Sequence, residues 1–163
     1  MCVLAGRRAA RTPRQGVYAM HNIQRVLRSQ HVIHTSPDST VFETARQMAL
    51  RGIGAMAVVE GERLVGIFSE RDLMTRVVVP GRDVRSVRVS DVMTCDVVTA
   101  GLGDDRESAI DKMRNAGCRH LPIVTEGRVI GMISMRDLLR DEIEEQGEEI
   151  RSLRAYLYQQ PLA

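Results

Sequence analysis

The sequence predicts an α+β fold built from two similar units, each with the element order β-α-β-β-α. The main observation is an internal repeat: residues 66–72 read GIFSERD, and residues 131–137 read GMISMRD, 65 positions later. Chance gives about one match in fifteen positions at ordinary composition, and the number of identities at this single offset is far higher, which indicates a true repeat. The residues of the first unit that find an identical partner, without a gap, are Val32, Met48, Gly52, Val59, Arg63, Gly66, Ser69, Arg71, Asp72 and Leu73.

The two units are called copy one, residues 17–85 with a lead-in helix, and copy two, residues 86–142. A basic arm over residues 1–16 precedes them, and a helical extension over residues 143–163 follows. A unit of about 60 residues is at the edge of what folds alone. We therefore expect the two copies to pack their sheets together, with the helices outside and with pseudo-twofold symmetry.

Each copy is predicted to pass through the same elements. A short first strand falls at Val32-Ile33 in copy one and at Val97-Val98 in copy two. A helix follows over residues 41–51 and over residues 104–116, because apolar residues recur there at helical spacing. A hairpin of two apolar strands then leads to a strand-to-helix corner, residues 66–72 or 131–137.

Composition excludes several classes of function. The 163 residues are 44% hydrophobic and 27% charged, which is typical of a soluble globular chain. A net charge of +2, no Trp, two Phe and three Tyr argue against a nucleic-acid partner. No apolar run approaches the roughly 20 residues that cross a membrane. The cysteines, Cys2, Cys95 and Cys118, are odd in number and widely spaced, which favours a cytoplasmic protein and indicates no metal site.

The corners allow two interpretations. Ser-x-x-Asp before an apolar run is a capping box, in which the serine accepts a hydrogen bond from a free helix amide and the acid reaches back. The same geometry suits a nucleotide, because a helix N-terminus attracts phosphate. The arginine before each aspartate has donors for phosphate, and the aspartate has acceptors for ribose hydroxyls. A cap alone does not require the arginine, so its recurrence favours the nucleotide.

In their order and doubling, these motifs resemble a pair of CBS domains, also called a Bateman module. The resemblance covers residues 23–142 and includes SPDSTV at 36–41, DVMT at 91–94 and RHLPIV at 119–124. It is closest to small stand-alone bacterial proteins that lack the catalytic domains of IMP dehydrogenase or cystathionine β-synthase. It therefore implies a non-enzymatic regulatory sensor for energy or metabolites.

The resemblance also implies a ligand that contains adenosine, held in clefts between the copies. AMP is the first expectation, and ADP, ATP, NAD(H) and S-adenosylmethionine are alternatives. In the family the corner serine and aspartate contact ribose and phosphate, the neighbouring arginine faces phosphate, and the middle strand holds adenine. Carried over, the ligand positions are His34, Gly54, Ala55, Met56, Ser69, Arg71, Asp72, Thr99, Cys118, Arg119, His120, Ser134, Arg136 and Asp137.

Two details distinguish the copies. The γ subunit of AMP-activated protein kinase has basic residues at the place that matches Arg119 and His120, and they reach phosphates across the cleft. The alternative is that these two side chains face solvent or pair with an acid. The family commonly has threonine at the end of the first strand; Thr99 fits, whereas His34 takes that place in copy one.

Two other functions remain as hypotheses. The chain could be a structural or dimerisation module without a ligand, although intact polar corners in both copies argue against it. It could be an enzyme, but the sequence shows no paired nucleophile and base. Family pairs usually dimerise, and apolar residues spaced by three and four along residues 143–157 predict a coiled-coil seam. A homodimer is therefore expected, together with a regulated protein partner of unknown identity.

Overall fold

The structure is a computed structural model that describes residues 23–27 and 32–158. The predicted basic arm and most of the lead-in helix lie outside these residues. Copy one contains α1 (Gln24–Leu27), β1 (His34–Thr35), α2 (Val41–Arg51), β2 (Ala55–Glu60), β3 (Arg63–Ser69) and α3 (Glu70–Leu73). A π-helical turn, Met74–Val78, continues α3, and a 3-10 turn, Val89–Asp91, opens copy two. Copy two then contains α4 (Arg106–Ala116), β4 (His120–Thr125), β5 (Arg128–Ser134) and α5 (Met135–Tyr158).

The strands form one five-stranded sheet in the order β1-β2-β3-β5-β4. The sequence predicted that two sheets, one from each copy, pack together. In the structure the strands of the two copies instead join edge to edge in one sheet, where β3 meets β5 through the antiparallel pair Arg63–Arg128. Both hairpins have the same register, with Ser69 opposite Ala55 and Ser134 opposite His120, and each has one irregularity at the matching position. The α+β class and the tandem arrangement are confirmed.

The first strands differ from the prediction. In copy one the strand is His34–Thr35, parallel to β2, and not Val32-Ile33. In copy two Val97-Val98 form no strand, and a single parallel bridge joins Ala100 to Ile123. Thr35 and Ala100 are 65 positions apart, so the pairing position is conserved between the copies although the predicted apolar pairs precede it.

Each copy has its own apolar core, and each core is completed by residues from the start of the other copy. The core of copy one includes Val89 and Val92 from the start of copy two. The core of copy two includes Ile23, and Val26 and Leu27 of α1 pack against it. The two copies are therefore tied together by crossed lead-in segments as well as by the sheet.

A glycine on each return strand makes room for these segments. A Cβ built on Gly131 would overlap Cδ2 of Leu27. A Cβ built on Gly66 would lie 2.5 Å from Sδ of Met93 and 3.1 Å from the carbonyl oxygen of Thr94. The identity of these two glycines in the repeat thus follows from the close approach of one segment to each strand.

Helix α5 is long and mostly exposed. Of its 24 residues only Leu138 is buried. Arg106, which is buried on α4, holds it through Asp141 and Glu145. Arg25 of α1 also pairs with Asp141, at 3.2 Å. Among the described residues, no helix combines the length and the apolar character that a membrane span needs.

Gly131→Ala should lower the free energy of unfolding by about 1–3 kcal/mol, because the new methyl group overfills the space that Leu27 occupies. Urea denaturation would measure the change. The obstacle is the end of a side chain, so Gly131→Ala should add little further loss in a Leu27→Ala background. Gly103→Ala is the control, since no atom lies within 4 Å of its Cβ, and it should change stability by less than about 0.5 kcal/mol. Additive losses for Gly131→Ala and Leu27→Ala would contradict this account.

Candidate functional site

Both corners are capping boxes, as one of the two interpretations expected. Asp137 Oδ2 accepts a hydrogen bond from the Ser134 backbone N–H at 2.8 Å and from its Oγ at 2.6 Å. The Asp137 N–H donates to Ser134 Oγ at 3.2 Å. The Ser69–Asp72 pair repeats these contacts in copy one. The box holds each carboxylate at a helix start by one oxygen, so a ligand has to use the other oxygen.

A cleft of about 610 Å³ opens where copy one faces the corner of copy two. It brings together seven of the predicted ligand positions, which come from both copies. They are Gly54, Ala55, Arg119, His120, Ser134, Arg136 and Asp137. A volume of this size lies within the range of about 300–1,000 Å³ that small-molecule sites occupy.

The cleft lining carries two arginines, Arg119 and Arg136, and two carboxylates, Glu70 and Asp137. Arg119 and Arg136 line it and are exposed, whereas His120 is half-buried. Burial lowers the pKa of His120 below its ordinary value; the nearby Arg119 also lowers it, against the opposing effect of Glu70 and Asp137. His120 is therefore a neutral donor or acceptor at pH 7, and the two guanidinium groups provide the cationic surface.

The wall that copy one contributes must have a small residue at position 54. A Cβ on Gly54 would lie 3.1 Å from Cε1 of His120 and 3.2 Å from Oε2 of Glu70. The Gly54 carbonyl accepts from the N–H of Glu70 at 3.0 Å, and the matching bond in copy two runs from Met135 to Arg119 at 2.9 Å. Glycine here thus lets His120 approach the opposite copy.

The other predicted positions lie outside the cleft lining. His34 is exposed on β1, and Met56 is 0% exposed in the core of copy one. Thr99 is half-buried and follows residues 89–94 at the start of copy two, which are called the linker. Cys118 is half-buried beside Arg119. The remaining three positions form the other corner, at Ser69, Arg71 and Asp72.

Cys118 does not have the surroundings of a reactive thiol. Burial raises its pKa above the ordinary value, against hydrogen bonding to backbone groups and the charge of Arg71. A nucleophilic cysteine needs the opposite shift, towards the thiolate. The nearness of Cys118 to His120 in sequence therefore gives no support for a catalytic pair.

The sequence interpretation missed part of the lining. The missed residues are Ile33, Gly52, Ile53, Glu70, Met132 and Met135. Glu70 and Met135 each follow a corner serine and stand 65 positions apart, so comparison of the two corners could have singled out this acid-for-methionine difference. The apolar members form the hydrophobic lining that small-molecule sites usually have. In the sequence they cannot be distinguished from ordinary core residues.

Comparison with known families agrees with this geometry. The sequence profile of the CBS domain matches residues 23–79 and again residues 89–144. The chain belongs to the CBS-domain family. CBS-domain proteins are typically regulatory rather than catalytic, and the cleft described above lies between the two CBS repeats.

Relatives and solved structures support the same assignment. A mitochondrial CBS domain-containing protein of Arabidopsis thaliana is 33% identical over 74% of this chain, and the match spans 61% of that relative's length. The solved structure of a candidate signal-transduction protein with CBS domains from Burkholderia ambifaria has a TM-score of 0.73 and is 29% identical, with 77% of this chain and 96% of that chain covered. A CBS pair crystallised with 5′-methylthioadenosine and S-adenosyl-L-methionine has a TM-score of 0.68 at 21% identity over 75% of this chain and 95% of its own, which shows a shared fold.

Proposed function

We propose that this CBS pair is a non-catalytic regulatory module that binds an adenosine-containing ligand in the cleft of copy two. The observation that carries the proposal is the meeting of Arg119, Arg136 and Asp137 around one cavity with apolar walls. AMP is the first candidate ligand, with ADP, ATP, NAD(H) and S-adenosylmethionine as alternatives. A CBS pair of the same fold was crystallised with two adenosine derivatives, which supports this ligand class.

Each part of an adenosine nucleotide has a counterpart in the cleft. The uncapped oxygen of Asp137 can accept hydrogen bonds from ribose hydroxyls. Arg136 lies in the first turn of α5, where the free amides and the helix dipole attract phosphate. Ile53 and Met132 line the apolar wall against which adenine would stack. The ligand would touch both copies and so favour one arrangement of the pair, which is how a module without chemistry of its own can signal.

We also propose a homodimer formed through α5. Leu139, Ile143, Gln146, Ile150, Leu153 and Leu157 follow each other at spacings of four and three. This seam is open to solvent, with Ile143 70% and Leu157 69% exposed. Isoleucine at 143 and 150 alternating with leucine at 139 and 153 favours a parallel two-stranded coiled coil. In that register Glu149 lies opposite Arg154 of the second copy, so the flanking charges are complementary.

The end of α5 also needs a partner for its stability. Every residue from 148 to 158 is exposed, and Glu148 pairs with Arg25 of α1 at 3.5 Å. The exposure of residues 149–158 leaves this end of α5 with little packing against the rest of the described structure. An isolated helix shorter than about 12 residues is marginal in water. A groove of about 570 Å³ lined by Leu139, Ile143 and neighbouring charged residues begins the seam beside the body of the protein. A second α5 that packs along this seam would cover both the groove and the exposed end of the helix. The output protein that such a dimer regulates stays a prediction, as does a cytoplasmic location.

Asp137→Ala should abolish nucleotide binding while it costs only about 1 kcal/mol of stability, the value of a helix cap. Thermal-shift measurements with AMP, ATP, NAD, NADH and S-adenosylmethionine would first identify the ligand, since a ligand that binds only the folded state raises Tm. Calorimetry would then compare the variants. Asp105→Ala removes the side-chain N-cap of α4, outside the cleft lining, and should leave binding intact. Unchanged affinity in Asp137→Ala, or no shift with any of the five ligands, would refute the proposal.

Arg119→Ala should weaken AMP and ATP roughly tenfold to hundredfold, because a hydrogen bond to a charged group contributes about 1.5–3 kcal/mol. Adenosine has no phosphate, so its affinity should change by less than about twofold. Arg114→Ala, an exposed arginine of α4 outside the cleft lining, is the matched control. Titration calorimetry with the three ligands gives the comparison. Equal losses for all three would assign Arg119 a packing role instead.

Ile150→Glu should raise the dissociation constant of the dimer at least about tenfold, because the carboxylate would lose its water at the centre of the seam. Light scattering over a dilution series would measure it, and a chain that ends before Gly147 should show the same loss with the ligand cleft retained. Leu50→Glu on α2 changes an apolar residue that is 76% exposed, compared with 51% for Ile150, and should leave the dimer intact. A full-length protein that is monomeric at high micromolar concentration would exclude this dimer.

A further inference from the structure

The corner of copy one is closed by contacts within the chain. Asp72 is 7% exposed. Its Oδ2 accepts from the backbone N–H and Oγ of Ser69, as in the other corner. Its Oδ1, the oxygen that a ribose would need, faces Thr94 Oγ1 at 3.3 Å and Arg76 Nη1 at 3.3 Å. Both oxygens of Asp72 are therefore occupied by protein donors.

Arg76 connects this corner to the linker between the copies. The same Nη1 that faces Asp72 donates to the carbonyl oxygens of Val92 at 2.8 Å and of Met93 at 2.7 Å. Val92 is buried in the core of copy one. One guanidinium group thus contacts three acceptors, which are the Asp72 carboxylate and two backbone carbonyls of a packed segment. This connection between the corner and the linker is called the joint.

The arginine of the same corner makes a second closing contact. Arg71 Nη1 donates to the carbonyl oxygen of Gly117 at 3.2 Å, across to the C-terminal end of α4. The matching residues of the other corner, Arg136 and Gly52, both line the open cleft. The space that is open at the Asp137 corner is therefore bridged by the Arg71 side chain at the Asp72 corner.

A charge reversal in the sequence explains the difference. Arg76 stands four residues after Asp72, and opposite charges at this spacing attract each other. The residue four positions after Asp137 is Asp141, which pairs with Arg25 and Arg106 on the side away from the cleft. Among the described residues no hydrogen bond reaches Asp137 Oδ1, so this oxygen is open to an external donor, such as a ribose hydroxyl.

We propose that the chain binds one nucleotide, at the Asp137 corner, and that Arg76 makes the Asp72 corner an internal joint that takes no ligand. This inference rests on the proposed function of the Asp137 cleft. It replaces the two equivalent sites that the repeat implies with one binding corner and one corner that fixes the linker. Arg76 is a positioning residue in this scheme, because it acts through Asp72 and the linker and does not touch the nucleotide.

Calorimetry with AMP tests the binding half. The wild-type protein should bind about one AMP per chain. Asp72→Asn should keep that stoichiometry and an affinity within about twofold, whereas Asp137→Asn should lose the heat of binding. A wild-type stoichiometry of two, or a site lost in Asp72→Asn, would overturn this inference and leave the proposed function standing. No binding of AMP to the wild type would overturn both for that ligand.

A stability cycle tests the joint without any ligand. Asp72→Asn and Arg76→Gln should each lower Tm by about 2–4 °C, and the double variant should lose less than the sum of the two single losses, because both variants remove the same Asp72–Arg76 pair. Arg46→Gln, an exposed arginine of α2, controls for the loss of a surface charge and should leave Tm within about 1 °C. Losses that add in the double variant, or no loss with Arg76→Gln, would show that Arg76 does not hold the corner.

Discussion

The hydrogen bond from a corner serine to its aspartate is the interaction on which the rest of this structure depends. In both copies the serine hydroxyl meets the carboxylate at 2.6 Å and also accepts from the aspartate N–H. The capping box that contains this bond stands where the chain passes from a return strand into a helix, and it satisfies backbone groups at the helix start that would otherwise lack a partner within the helix. The same bond fixes which carboxylate oxygen is left over. The cap and the proposed ligand-binding role are therefore compatible at the Asp137 corner, because the cap orients the free oxygen of Asp137.

Crossed packing makes the two copies one folding unit. Ile23 completes the core of copy two, and Val89 completes the core of copy one. Each crossing segment touches a return strand at a glycine, Gly131 or Gly66, immediately before a corner. Movement of a lead-in segment would therefore displace the strand that ends in the corner serine. A ligand bound at the corner could in this way change the relative arrangement of the two copies.

The sequence predicted the features that are local and doubled. The repeat offset located both corners, both hairpins and the helix ends at Gly52 and Gly117, where φ is +62° in each case and glycine is favoured. It placed the first strands on Val32-Ile33 and Val97-Val98, because apolar pairs look like strands, whereas backbone pairing falls at Thr35 and Ala100. It treated the two corners as equivalent. Their difference depends on where Arg76 and Asp141 point, towards the linker or towards α1 and α4. These contacts span 16 to 116 residues, so the charge reversal between positions 76 and 141 did not by itself reveal them.

Helix α5 combines the two roles proposed for the chain. It begins at the cleft with Arg136 and Asp137 and continues as the exposed seam from Leu139 onwards. Arg136 lines both the ligand cleft and the groove that opens the seam. Arg106 of α4 holds α5 through Asp141 and Glu145. Because α5 is one continuous helix, a shift of its first turns would also move the seam residues that follow. If nucleotide binding and dimerisation both use this helix, they are thermodynamically linked, and each changes the affinity of the other by the same factor. The pair of CBS repeats would then report its ligand through its own assembly.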